Sequence, residues 1–455
     1  MKNISRTVIV LAILLAAAVA LAEQGGKLLI IAADQFVNAV QPLAAWKTQK
    51  GLLAKVVPVS QAGQEPRDIR NFIRTAHDSW VIKPEFVLLV GSPDFIPSHD
   101  NNDDCYYGDL GDGFEMELSV GRLFATTIQE CSTMVAKILA YEKPDAQSDT
   151  AWYRKGTTVV CEDNPPDEYY QIDSRMARER WLADGYVVAE SLMNLWGDTS
   201  ADVTAAANDG RTFITYRGQG VSTWWYPFHL IDPFSWTNGY RLPVVIAGSC
   251  ATVTLAPGET MYGDKFVRAG TTAGSGGAVA YFGTTRIGSE ISKYRSACYR
   301  GFFHALFDHG VYLLGPVTLN ARRQILDSVS RHAELRYTEW NLLGDPTMPV
   351  WVGGVPKPAT VQYAFEPPLT PTVLKVWVRL GDRKVRGARV CAWKQGDGGF
   401  YVTDTTDAQG FTELPLPPHT EGSVLLTVSE GHAVGEAPHT PILPHEETIW
   451  TPGSA

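Results

Sequence analysis

From residue 27 onward the chain alternates short apolar runs with amphipathic stretches, and this rhythm restricts it to α/β architectures. KLLIIAA (27–33), LAKVVPV (53–59) and EFVLLVGS (85–92) read as buried strands. Between them, FVNAVQPLAAWKTQK (36–50) and PRDIRNFIRTAHDSW (66–80) carry helical periodicity, with Pro66 suited to a first helical turn. Strands separated by helices imply right-handed βαβ crossovers and a mostly parallel sheet. The alternation resumes with helices over 128–142 and 168–184 and extended segments at 157–161, 186–192, 213–216, 242–249 and 277–283. Two helical stretches then cover about 290–330. EFVLLVGS and LPVVIAGS both end in Gly-Ser, which predicts two similar halves, 27–150 and 151–352.

At 344–358, GDPTMPVWVGGVPKP, helical periodicity stops and Pro and Gly accumulate. Six β-rich runs follow, at 361–365, 372–380, 388–394, 399–405, 411–416 and 423–429, separated by turn signals such as GDR, QGDGG and DAQG. They predict a small antiparallel sandwich over 355–445. The Pro-rich end from about 435 reads as extended, with 446–455 as a tail.

Lys2 and Arg6 precede an apolar stretch, Val8 to Ala20, that closes on Ala20-Leu21-Ala22 before Glu23. A basic n-region, an apolar h-region and a small-x-small site make a signal peptide, 1–22, cleaved after Ala22. The run is shorter than the roughly 20 residues a spanning helix needs. The expected mature protein is secreted or periplasmic and has no membrane span. With a net charge of −10 and no dense Lys/Arg cluster, nothing here neutralises phosphates, so nucleic-acid partners are excluded. The six cysteines match no CxxC metal pattern, and sequence cannot pair them.

Two apolar runs end in residues that carry chemistry. RLPVVIAGSCATVT (241–254) puts Cys250 just past a strand, and FITYRGQG (213–220) ends in Gln219 between glycines. In open parallel sheets, catalytic groups sit beyond the carboxyl ends of neighbouring strands. A cysteine hydrolase uses the thiolate, and an unassisted thiol is only a few per cent ionised at neutral pH. A neighbouring imidazolium favours the thiolate and then protonates the leaving amine. A glutamine amide does neither. The plainer alternatives are a small buried Cys250 at a strand end and a polar turn residue at 219.

FVLLVGSPDFIP (86–97), DDCYYGDLGDG (103–113), LSVGRLFA (118–125), ITYRGQG (214–220), LPVVIAGSCAT (242–252) and NLLGDPTMPVW (341–351) occur in the order seen in the gingipain family of cysteine peptidases, which the chain resembles over roughly 27–352. The resemblance implies a caspase-like α/β fold followed by an immunoglobulin-like sandwich. It implies Cys250 as nucleophile, with Gln219 where the family has its catalytic histidine. It also implies the backbone N–H groups of Gly220 and Cys250 as an oxyanion hole, and Asp104 as an acidic specificity residue for a basic side chain. A one-residue slip would give that role to Asp103. Thiol chemistry needs no cofactor, but gingipain-like enzymes carry calcium.

Other groups remain open. Asp100, Asp103, Asp104, Asp109 and Asp112 form an acidic loop whose oxygens suit Ca²⁺, with Asp100, Asp103 and Asp109 as the candidate ligands, although the spacing is not an EF-hand and a solvated loop is the alternative. Trp224 and Trp225 read either as a substrate-cleft wall or as core. His229, ten positions after Gln219, and His99 are candidate replacement bases, or surface histidines. Asp345 reads as a turn residue closing the α/β region. The expected function is an exported gingipain-type cysteine peptidase homologue acting on a peptide or protein, with activity impaired at 219. The alternative is a pseudo-peptidase that binds a peptide or protein without cutting it.

Overall fold

The computed structural model of the protein describes residues 24–451 apart from 101–102, 112, 145–148, 162–167, 254, 260, 288–291, 329–331, 366–372, 397–398, 418–421 and 431–440. The expected signal peptide, Asp112 and most of the Pro-rich stretch after 430 lie outside the described residues.

Ten strands form one central sheet. In chain order they are β1 (Leu28–Ala32), β2 (Ala54–Pro58), β3 (Phe86–Val90), β4 (Ser119–Leu123), β5 (Lys155–Val160), β6 (Val188–Met193), β7 (Phe213–Arg217), then, after a short hairpin of β8 (Gly220–Val221) and β9 (Trp224–Trp225), β10 (Val244–Gly248), β11 (Ala280–Thr284) and β12 (Trp340–Leu343). The spatial order is β2-β1-β3-β4-β12-β11-β10-β7-β5-β6. Every pairing is parallel except β11 with β12, so two parallel halves run in opposite directions across that seam. The expected α/β, mostly parallel architecture is what the chain adopts. β1, β3, β7, β10 and β11 are buried along their whole length. Helices cover both faces of a parallel sheet, which explains why these strands read as unbroken apolar runs.

The halves are similar in topology, but the repeated Gly-Ser runs do not mark equivalent places. The order β2-β1-β3-β4 is mirrored by β6-β5-β7-β10, so β3 corresponds to β7, and β10 to β4. β4 and β12 escaped the hydrophobic pattern because they carry polar residues into the core. β4 contains Gly121 and the buried Arg122, and β12 is four residues long with the buried Asn341 in it. Gly121 is a close-approach glycine: a Cβ there would stand 2.2 Å from the Gly344 carbonyl oxygen.

After β12 the chain forms two four-stranded sheets packed on an apolar core that includes Leu374, Val376, Val390, Leu414, Leu426 and Ile449. His445–Thr451 pairs antiparallel with Gly422–Ser429 along seven positions, so the sheet continues into the segment expected as a tail. HEETIWT offers little apolar signal, and backbone ladder bonds rather than side-chain burial hold most of it in place. This sandwich touches the ends of two helices: at Val37–Gln49, Ser429 Oγ donates to the Lys50 carbonyl (3.3 Å), and just past Ile128–Glu142, Lys143 pairs with Glu446 (2.5 Å). Beneath lies a buried cluster of Lys47, Lys50, Glu142 and Asp345. Asp345 does sit at the turn that follows β12, where its carboxylate accepts from the Thr347 N–H (2.8 Å), but it is fully buried and paired with Lys47 at 2.6 Å.

Candidate functional site

β7 and β10 are neighbours, in parallel register with Arg217 opposite Gly248. The segments Gly218-Gln219-Gly220 and Ser249-Cys250 therefore leave the sheet side by side at the same edge, as the sequence predicts. The two glycines answer a packing demand. A Cβ on Gly220 would meet Ser249 Oγ at 2.0 Å and the Cys250 carbonyl oxygen at 2.7 Å, and one on Gly218 would meet Cys161 Cβ at 2.5 Å. Gln219 is held by its backbone: its carbonyl accepts from the Tyr226 N–H (3.0 Å) and the Tyr216 hydroxyl, and the residue is exposed.

Cys250 is half-buried, whereas the other five cysteines are buried, and no disulfide joins any of the six. Ala251 follows it with φ +42°, in the left-handed region that costs a residue with a Cβ about 1–3 kcal/mol. Neighbouring bonds impose that conformation: Ala251 N–H donates to the Arg286 carbonyl (3.1 Å) and Val253 N–H to Thr284 (3.0 Å). The sulfur receives a hydrogen bond from the guanidinium of Arg295, Nη1 to Sγ at 3.0 Å. Arg295 lies on the buried helix Ser292–Phe303 and also donates to the Arg286 carbonyl (2.8 Å). Its Nε stands 3.3 Å from Glu339, a fully buried carboxylate that Arg336 also holds at 3.0 Å. Burial opposes the Arg295 charge, but the Glu339 carboxylate and the Cys250 sulfur outweigh it and hold the guanidinium above its ordinary value.

A second buried ion pair fixes the strand ends. Arg217, the last residue of β7, donates to Asp173 (2.7 Å), to the Gly248 carbonyl of β10 and to the Ser292 carbonyl (3.0 Å). Asp173 also accepts from Ser296 (2.6 Å), and desolvation raises its carboxyl despite the facing guanidinium. One arginine thus ties the Gln219 loop, the Cys250 loop and the helix of Arg295 together.

A cleft of about 1240 Å³ opens beside this edge, lined by Gln219, Tyr226, Phe228, His229, Leu230 and the 194–208 segment. Cys250 lies outside that lining. Leu195, Trp196, Tyr226, Leu230 and Phe234 are exposed along or next to it, giving a partly apolar rim. His229 is exposed in this cleft, with Nδ1 2.7 Å from the Pro227 carbonyl oxygen. The tryptophans separate: Trp224 is exposed on the β8–β9 hairpin, whereas Trp225 is fully buried, stacked on Tyr216 (4.6 Å), and serves as core rather than as a cleft wall.

The acidic loop is arranged differently from its sequence expectation. Between β3 and β4 the chain lies against the sheet at Asp104, whose N–H donates to Asn341 Oδ1 (3.0 Å). Both Asp104 carboxylate oxygens accept from the fully buried Arg122, each at 2.7 Å, so Asp104 is not open to a substrate's basic side chain. Asp103 accepts from the Cys105 N–H (2.7 Å), and burial first, with Asp104 adding to it, raises its carboxyl to about 7. Asp109 is held by Arg70, while Asp100 is exposed beside His99, whose ring stacks on Tyr106 at 4.1 Å. These carboxylates do not fit a calcium cage. Among the described residues, no three His, Cys, Asp or Glu side chains gather as a cation site.

Sequence reading therefore located Cys250, Gln219 and Gly220 together and missed Arg295, Glu339, Arg217 and Asp173. For Arg295 the one available signal was a charge among the small and aromatic residues of SKYRSACYRGFF (292–303), and pairing partners 44 positions apart are not readable from a pattern.

A model of peptidase family C25 matches residues 21–351. Gingipain R1 of Porphyromonas gingivalis is 22% identical over 347 residues, which cover 72% of this chain and 34% of that protein. Lys-gingipain of the same species is 22% identical over 275 residues, covering 57% and 15%. The matched region thus spans about a third or less of these relatives. The crystal structure of the Arg specific cysteine proteinase gingipain R superposes with a TM-score of 0.78 at 18% identity, covering 94% of this chain and 98% of that one. The complex of Porphyromonas gingivalis RgpB pro- and mature domains gives 0.77 over 93% of this chain. No described helix is long and apolar enough to cross a membrane. The chain belongs to peptidase family C25.

Proposed function

We propose that this chain is an exported gingipain-type hydrolase that takes a polypeptide along the cleft beside Gln219 and presents Cys250 to a carbonyl of it, with peptide-bond cleavage impaired by the residue at 219. The adjacency of the Gly220 and Cys250 backbones at the ends of β7 and β10 carries this reading. Their N–H groups serve as the oxyanion donors, a backbone device that the side chain at 219 leaves intact. Export rests on the leader pattern of residues 1–22. A preference for basic residues loses its proposed carrier, because Arg122 occupies Asp104.

Gln219 favours a second reading, a peptide-binding module without hydrolysis. Turnover of fluorogenic peptide amides by wild type, Cys250→Ala and Gln219→His separates the two. Weak wild-type turnover that Cys250→Ala abolishes and Gln219→His raises about 10²–10⁴-fold, the usual worth of a positioned general acid–base, supports the impaired hydrolase. No cleavage in any of the three, with peptide binding retained, supports the binding module.

A further inference from the structure

Nucleophile activation and leaving-group protonation are separate tasks, and a catalytic histidine performs both. This site holds a group suited to the first and not to the second. Arg295 stands 3.0 Å from the Cys250 sulfur but 3.3 and 3.4 Å from the Glu339 oxygens, so its guanidinium sits closer to the thiol than to its carboxylate partner. Glu339 has Arg336 as a second cation at 3.0 Å and does not depend on Arg295 alone. The Arg286 carbonyl oxygen accepts from both the Ala251 N–H and Arg295 Nη2, which fixes the guanidinium relative to the Cys250 turn. An arginine is charged at every working pH, so it stabilises a thiolate and gives no proton away.

We propose that Arg295 is a catalytic residue that holds Cys250 as a thiolate, so that the protein cleaves peptidyl aryl esters and thioesters, whose leaving groups depart without a proton, far faster than peptide amides. The proposal rests on the reading that Cys250 meets an acyl carbonyl. The thiol proton passes to solvent water at the half-buried Cys250. The thiolate attacks the carbonyl carbon, the C–O or C–S bond breaks, and the phenolate or thiolate leaves with its electron pair. Water then attacks the acyl-thioester on Cys250, loses a proton to solvent and returns the sulfur to Arg295 as thiolate. With an amide, the amine must be protonated as it leaves, and neither Arg295 nor Gln219 supplies that proton.

The test pairs alkylation with turnover in the intact protein. Iodoacetamide labelling at Cys250, followed by peptide mass spectrometry, should proceed at pH 7 at least about tenfold faster in wild type than in Arg295→Met, with Arg295→Lys between them. The gap should close toward pH 10, where thiols ionise unaided; lost packing alone would not give that profile. Wild type should cleave a peptidyl thiobenzyl ester, and Gln219→His should raise cleavage of the matching amide about 10²–10⁴-fold while changing the ester less than about tenfold. Equal labelling of wild type and Arg295→Met at pH 7 overturns the role of Arg295, even if Cys250 cleaves peptides. Arg295-dependent labelling without cleavage of any peptidyl ester overturns the peptide-substrate reading and leaves the thiolate pairing standing. Should Arg295→Met not fold, wild type and Gln219→His still decide, because a wild-type amide rate equal to its ester rate refutes the proposal.

Discussion

Replacing Asp104 distinguishes a specificity residue from a structural one. Its carboxylate meets Arg122 through Nε and Nη2, both at 2.7 Å, and Arg122 is fully buried while also donating to the Gly91 and Ile96 carbonyls at 2.8 Å. A surface pair contributes about 0–1 kcal/mol, but removing one partner of a buried pair strands the other charge and costs about 3–5 kcal/mol. Asp104→Asn retains the shape and one acceptor and loses the charge. Unfolding entropy of about 2.1 cal/mol/K per residue over roughly 330 residues gives ~0.7 kcal/mol/K, so the expected fall in Tm is about 4–7 °C. Differential scanning fluorimetry at pH 7 reads it directly. The double variant Asp104→Leu/Arg122→Met should recover most of the loss, because an apolar pair of similar volume can replace a buried ion pair at little cost. Peptide selectivity should be unchanged in Asp104→Asn. A variant with wild-type Tm that loses preference for peptides with basic residues would refute the structural reading and restore Asp104 to the substrate cleft.

Two further substitutions probe buried charges. Asp103 titrates near 7 when folded and near ~4 when unfolded, so the folded state binds the proton more tightly; this group's contribution to stability falls as pH rises between those values and is level above them. Asp103→Asn should therefore raise Tm over wild type more at pH 8 than at pH 5, and a pH-independent difference refutes this. Lys137 is buried and donates to the Val267 and Ala269 carbonyls at 2.9 Å, closing the end of the helix Tyr262–Arg268. Lys137→Met should lower stability by about 1–3 kcal/mol in thermal scans by leaving those acceptors buried without a donor, and an unchanged Tm contradicts that capping role.

The strands easiest to read, β1, β3, β7 and β10, are those whose both faces are covered, so local apolar runs identified them. β4 and β12 were hidden because Arg122 and Asn341 enter the core as satisfied polar groups, which hydrophobicity alone counts as surface. Asp104 was misplaced for a related reason: an aspartate in a Gly/Asn-rich loop looks solvated until its buried partner is known. Trp225 could be assigned to core only once Tyr216 and Tyr281 were seen around it.

Sequence by itself determined the α/β class, the trailing sandwich, the ends of the two runs that carry Gln219 and Cys250, and the absence of a histidine at 219. Those are local properties, written in periodicity, turn residues and residue identity. Only the tertiary structure decided what stands against the sulfur. Arg295 is 45 positions from Cys250, and its carboxylate partner Glu339 is 44 further on. Such contacts come from packing a helix against a sheet edge, where burial strengthens each charge interaction, and no local pattern along the chain records which cation will be brought to which thiol.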